Sequence, residues 1–153
     1  MSMSTRTILS CMAHETRPCF LDTSFLLALA NTRDQWHAEA MRWEGQLAVQ
    51  RRTLLTTDYI LVELADGLAA VRFRGRASSI IAALKASRST TIVGASAPLF
   101  EAALALYAGR ADKDWSLTDC TSFVVMRERR LLAALTTDAH FRQAGFRALL
   151  LGD

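Results

Sequence analysis

After Pro18 the chain alternates short apolar runs with longer amphipathic segments, and this alternation constrains the fold more than any other feature of the sequence. Residues 19–21, 53–56, 90–93, 131–136 and 146–150 read as short buried strands. Helices are expected between them over 23–30, 34–50, 58–71, 77–86, 98–107, 117–129 and 139–143. Such an order predicts an α/β domain whose parallel sheet is covered by helices on both faces. Ligands of those folds bind beyond the carboxyl ends of the strands.

The helical readings rest on spacing. Trp36, Ala40, Trp43 and Leu47 recur at intervals of three and four, with Asp34 placed to cap the start. Ile60, Leu61, Leu64, Leu68 and Val71 make one apolar stripe, and Glu63 falls off it beside Tyr59, Asp66 and Gly67. Pro98 is tolerated in a first helical turn, and Gly109 closes that helix.

A length of 153 residues suits one domain, expected over 19–150, and no repeat or linker argues for a second. Residues 1–18 are expected to be a flexible leader, with Met3 and Met12 as candidate internal starts. Cys11, Cys19 and Cys120 are odd in number and lack the close pairing of a zinc or redox site, so reduced thiols are expected. Charges such as Asp22, Glu63 and Glu101 interrupt every apolar segment before it could span a bilayer. A soluble, cytoplasmic protein is the default expectation.

The net charge is +3, and of 18 basic residues only Lys85 and Lys113 are lysines. Arginine suits phosphate because its planar fork donates two hydrogen bonds at once. Arg51/Arg52, Arg72/Arg74/Arg76 and Arg127/Arg129/Arg130 are candidate nucleic-acid contacts, although a charge run by itself more often describes a solvated face.

Four acids stand out by position. Asp22 and Asp138 each follow an apolar run and precede a helix, while Glu63 and Asp119 lie on helices flanking the same sheet edge. Each has an ordinary explanation: Asp22 and Asp138 as helix caps, Ser116 and Asp119 as a capping-box variant, Glu63 as a solvated side chain. Together they say more, because four converging carboxylates repel one another unless a cation neutralises them. Oxygen donors without a histidine or cysteine cage suit Mg2+, with Mn2+ able to substitute, better than Zn2+. Ser24 and Thr137 are the first candidates to hold water or a scissile phosphate, with Thr23 and Thr118 behind them and local capping as their alternative. His140 is weighed mainly as a surface or core histidine, with proton donation as its alternative.

The segments Leu21-Asp22-Thr23-Ser24, Leu-Val-Glu63-Leu, Trp115-Ser-Leu-Thr-Asp119-Cys and Thr136-Thr137-Asp138-Ala-His-Phe141 together resemble the ordered motifs of PIN-domain nucleases. That resemblance implies a three-layer α/β/α domain with a central five-stranded parallel sheet. It also implies a metal-dependent endoribonuclease site built from Asp22, Glu63, Asp119 and Asp138. The size, the arginine content and the Trp-Ser-Leu-Thr-Asp-Cys segment are similar to VapC toxins of type II toxin-antitoxin systems. The partners implied are an RNA substrate, a VapB-like antitoxin and a second copy of the chain. The stripes on 36–47 and 60–71 then either pack internally or leave an antitoxin groove.

Alternatives are an RNA- or antitoxin-binding PIN module without catalysis, and a standalone RNA-processing nuclease. An aspartyl-phosphate phosphatase using Asp22 is disfavoured by Ser24, where that chemistry places a second Asp. A receiver domain lacks its adjacent acidic pair.

Overall fold

The computed structural model describes residues 17–152. The proposed leader, including Cys11, lies outside them except for Arg17 and Pro18. The elements run β1 (Cys19–Leu21), α1 (Thr23–Ala30), α2 (His37–Gln50), β2 (Leu54–Thr57), α3 (Asp58–Gly67), α4 (Val71–Ala86), β3 (Thr90–Val93), α5 (Ala97–Gly109), α6 (Leu117–Glu128), β4 (Ala133–Leu135), α7 (Ala139–Gln143) and β5 (Arg147–Ala148). A 3-10 turn over Leu149–Leu151 follows. The sheet order is β3-β2-β1-β4-β5 and every pairing is parallel, which is the expected five-stranded α/β/α arrangement.

This order creates the site's location. From β1 the chain first builds outward through β2 and β3, then crosses back to add β4 and β5 on the other side. The strand order reverses between β1 and β4, and the connections leaving their carboxyl ends diverge there to leave a crevice. Phe20 pairs with Ala134 and Leu21 with Leu135, so Asp22 and Thr136 emerge side by side.

An aromatic cluster fixes the two helices that bring Asp119 and Asp138 to the site. Phe123, one turn beyond Asp119 on α6, meets Phe141 of α7 edge-on at 5.0 Å and Trp115 at 4.9 Å. Phe20 of β1 lies 6.0 Å from Phe141. All four rings are buried. Edge-to-face pairs of this kind add about 0.5–1.5 kcal/mol each beyond the area they bury.

Several boundaries differ from the sequence reading, each for a local reason. The helix expected from residue 34 begins at His37, because Asp34 accepts the Trp36 N–H across 2.8 Å and holds a turn. The stripe through Val71 is broken: α3 ends at Gly67, and Ala70 is extended before α4 restarts the helix. Leu64 is fully buried but Val71 is 87% exposed, so no core contact carries one helix across the break. The last strand covers only Arg147–Ala148 because Leu149–Leu151 turn into the 3-10 segment.

The stripes on 36–47 and 60–71 are used mainly for packing: Ala40, Leu47, Ile60, Leu61 and Leu64 are buried, and Trp36 and Trp43 pack against the core. Cys19 and Cys120 are buried free thiols, and burial pushes the Cys19 thiol up to about 11. No helix among the described residues is long and apolar enough to cross a membrane.

Candidate active site

Asp22, Glu63, Asp119 and Asp138 line one cleft of about 380 Å3, with Thr23, Ser24, Leu27, Asp66 and Gly67 completing it. Four elements deliver them: the end of β1, the middle of α3, the first turn of α6 and the residue capping α7. The capping explanations hold as well. Asp22 accepts the Ser24 N–H at 3.3 Å, Asp138 accepts the His140 N–H at 2.8 Å, and Asp119 closes a reciprocal capping box with Ser116.

Capping occupies only part of each carboxylate. Asp22 Oδ2 accepts the Ser24 hydroxyl at 2.6 Å and the Thr136 hydroxyl at 2.7 Å as well as the Ser24 N–H, leaving Oδ1 without a partner among the described residues. Asp119 accepts Ser116 N–H at 2.9 Å through Oδ2 and leaves Oδ1 open. Glu63 accepts the Thr23 hydroxyl through Oε2 and leaves Oε1 open. A carboxylate with one oxygen clamped and one free is oriented without being used up.

Ser24 and Thr137 are both present at this edge. The Ser24 hydroxyl donates to Asp22 and accepts the Thr137 N–H at 3.0 Å; Thr137 enters through its backbone. Thr118 contributes its carbonyl, which accepts the Thr121 hydroxyl at 2.7 Å and the Ser122 hydroxyl at 3.1 Å. Thr136, passed over in the sequence, is fully buried, donates to Asp22 and accepts the Asp138 N–H at 2.9 Å. Its position at the end of an apolar strand beside Asp138 was the available signal.

His140 is also part of the constellation, contrary to its expected surface or core role. Its Nδ1 lies 3.2 Å from Asp119 Oδ2 and 3.3 Å from Asp138 Oδ2. Ionised carboxylates only accept, so the ring carries its proton on Nδ1 in that state. Asp119, Asp138 and His140 can bring one ligand atom each within 4.8 Å of one another. The spacing of His140 two residues beyond Asp138 was visible, but its proximity to Asp119 needed the fold.

The electrostatics follow from this crowding. Burial pushes the Asp22 carboxyl up to about 6, against the Ser24 and Thr136 hydrogen bonds and with help from Glu63. Burial also raises Glu63, and Asp119, Asp138 and Asp66 add to it while Thr23 opposes. Asp119 is raised by burial, partly offset by the Ser116 N–H, with Asp138 raising and His140 lowering it. The cleft's lining contains five carboxylates and no Lys or Arg. An oxygen-rich donor set with unneutralised repulsion fits a hard divalent cation such as Mg2+.

Residues 19–147 match the PIN domain family. The chain belongs to the PIN-domain family. It is 33% identical over 128 residues to the 23S rRNA-specific endonuclease VapC20 of Mycobacterium tuberculosis, covering 83% of this chain and 94% of that protein. The crystal structure of VapC20, described as a sarcin-ricin loop cleaving toxin, superposes with a TM-score of 0.74 at 30% identity, covering 85% of this chain and 97% of the other. Within the PIN family the chain therefore stands with the VapC toxins.

Proposed function

We propose that this VapC-type PIN protein hydrolyses RNA phosphodiester bonds at the acidic cleft, with Asp22, Glu63, Asp119 and Asp138 holding Mg2+ and Mn2+ able to replace it. The observation that carries this reading is the convergence of all four carboxylates at the β1/β4 crevice, three of them keeping an unused oxygen. The bound ion supplies charge stabilisation at the phosphate and activation of the attacking water.

The remaining parts belong to the protein. Ser24 and Thr136 hold Asp22, Thr23 holds Glu63, and the Ser116 N–H holds Asp119. His140 Nδ1 spans Asp119 and Asp138 and keeps the two from separating. Such supports fix ligand orientation, and their removal commonly costs about 10–100-fold in metal affinity or activity. Ser24, its hydroxyl committed to Asp22 and to the Thr137 N–H, acts by positioning Asp22, and Thr137 acts by holding Ser24.

The catalytic unit of this reading is the 19–150 segment. Its physiological role is that of a toxin restrained by a VapB-like antitoxin. An apolar groove of about 570 Å3 between α1 and α4, lined by Leu26, Leu29, Ile80 and Leu84, suits an antitoxin segment. Self-association uses α5, where Phe100, Leu104 and Tyr107 recur at helical spacing and are 38%, 39% and 50% exposed. An RNA substrate and buried unpaired thiols go with a cytoplasmic location.

The test is cleavage of purified RNAs, beginning with 23S rRNA, by the full chain in Mg2+, Mn2+ or EDTA. Wild type should cut only with added ion, and Asp22→Asn should not cut under any condition. Cleavage by Asp22→Asn at the wild-type rate, or in EDTA, would remove this reading.

A further inference from the structure

No Lys or Arg lines the acidic cleft, so side-chain contacts to the phosphates flanking the cut must come from basic groups beside it. Topology sorts the candidates. Arg51 and Arg52 precede β2, and Arg129 and Arg130 precede β4; in a parallel sheet these positions lie at the edge opposite the acids. Two contacts tie that far edge together: Arg52 Nε donates to Arg17 O at 3.1 Å, and Arg17 Nη1 donates to Arg130 O at 3.3 Å. Near the acids, the Arg110 fork is engaged by Asp112 at 2.8 and 3.0 Å, and Lys113 lies 3.7 Å from the same carboxylate.

The α3/α4 corner is different. Asp66 lines the acidic cleft and also a second groove of about 320 Å3, so the two hollows adjoin. Arg74 and Ser78, one turn apart on α4, line that groove, and Ala65, Ala69 and Ala77 keep part of its wall small and apolar. Asp66 lies three residues beyond Glu63, about 4.5 Å along α3, so the groove opens within roughly one helical turn of a cleft acid. Arg74 Nε donates to Ala69 O at 2.8 Å. That bond orients the guanidinium, while neither Nη group has a partner among the described residues. Arg72 instead stacks on Phe73 at 4.7 Å and does not line the groove.

We propose that Arg74, supported by Ser78, is a phosphate-binding subsite for the nucleotide next to the one being cut, with its sugar lying over the alanines. The inference rests on the nuclease reading of the cleft and adds how the strand is held. An arginine already pinned through Nε loses less freedom when its remaining N–H groups meet phosphate than a free surface side chain does.

The probe is a short fluorescein-labelled single-stranded RNA, titrated by anisotropy in EDTA against the full chain over a salt series. Arg74→Ala should weaken binding about tenfold at low salt and reduce the log Kd against log salt slope by about 0.7, the loss of one phosphate contact on a single strand. Arg74→Lys should recover part of the affinity, and Arg72→Ala should leave the slope nearer to wild type. In cleavage assays with Mg2+, Arg74→Ala should raise KM more than it lowers kcat. Thermal melting checks that each variant is folded. Wild-type affinity and slope in a folded Arg74→Ala protein, or equal losses in Arg72→Ala and Arg74→Ala, would overturn the subsite while leaving the nuclease reading intact. Wild-type protein that neither binds nor cuts RNA would overturn both.

Discussion

The Thr136 hydroxyl donates to Asp22 Oδ2 across 2.7 Å, joining the carboxyl ends of β4 and β1 at the point where the strand order reverses. The bond holds a buried carboxylate in its ionised form. Replacing Thr136 with Val keeps the side-chain shape but removes the donor, which for a buried partner costs about 1–3 kcal/mol. Thr136→Val should therefore lower the melting temperature, move the acid limb of the activity profile to higher pH, and reduce cleavage. Thr136→Ser should restore most of all three. If Val and Ser behave alike in the pH profile, the hydroxyl is not what holds Asp22 ionised.

A pH dependence follows from Asp22 itself. Its carboxyl ordinarily titrates near 3.8 but is pushed up to about 6 by burial in the folded protein. Between those values the folded state holds a proton that the unfolded chain has released. The contribution to stability is thus fully present below 3.8 and lost as pH rises through about 6. For a side chain that is 6% exposed, this gap corresponds to on the order of 3 kcal/mol. In EDTA, the stability gain of Asp22→Asn over wild type should therefore grow as pH rises through this window. Mg2+ should stabilise wild type more above about pH 6 than below about pH 5, where protons compete for the carboxylates. Calorimetric scans showing a constant wild-type to variant gap across this range would count against the assignment.

The strand-helix order, the five parallel strands and the four acids were legible because period, strand ends and motif order are local properties of sequence. Thr136 and His140 were harder to see. Thr136 acts on Asp22 from a residue 114 positions away, and His140 reaches Asp119 from a different helix. Both relations depend on β1 pairing with β4 and on Phe123 packing against Phe141. The break after Gly67 was hidden for a related reason. A spacing of three or four marks Val71 as apolar and in phase, yet only tertiary packing decides whether that face is covered, and here it is not. The same break opens the groove beside Arg74.

Asp119 combines two roles that substitution can separate. In its capping box it accepts the Ser116 N–H at 2.9 Å, a bond that Asn can also accept and Ala cannot. Relative to Asp119→Asn, Asp119→Ala should lose about 0.5–1.5 kcal/mol through the missing bond to the Ser116 N–H, and it should lose activity. Asp119→Asn should also lose activity, but it removes one of the charges that raise Glu63, so its melting temperature in EDTA should equal or exceed wild type. The stabilisation gained from added Mg2+ should shrink in both. An Asp119→Asn protein with full cleavage would show that this carboxylate only caps α6.

His140 gives the sharpest separation of support from ligation. Its Nδ1 is shared between Asp119 and Asp138, so deleting the ring releases two carboxylates that repel each other. His140→Ala should raise the Mg2+ concentration needed for half-maximal cleavage by about 10–100-fold. Because the α7 cap uses the backbone N–H of residue 140, melting in EDTA should change little beyond the loss of helix packing. His140→Asn can present an amide N–H toward the acids and should recover part of the Mg2+ affinity, which a mere loss of ring volume would not permit. If saturating Mg2+ restores wild-type kcat to His140→Ala, the ring positions the acids. A kcat that stays depressed at saturating Mg2+ in both variants would instead place the imidazole on the reacting phosphate.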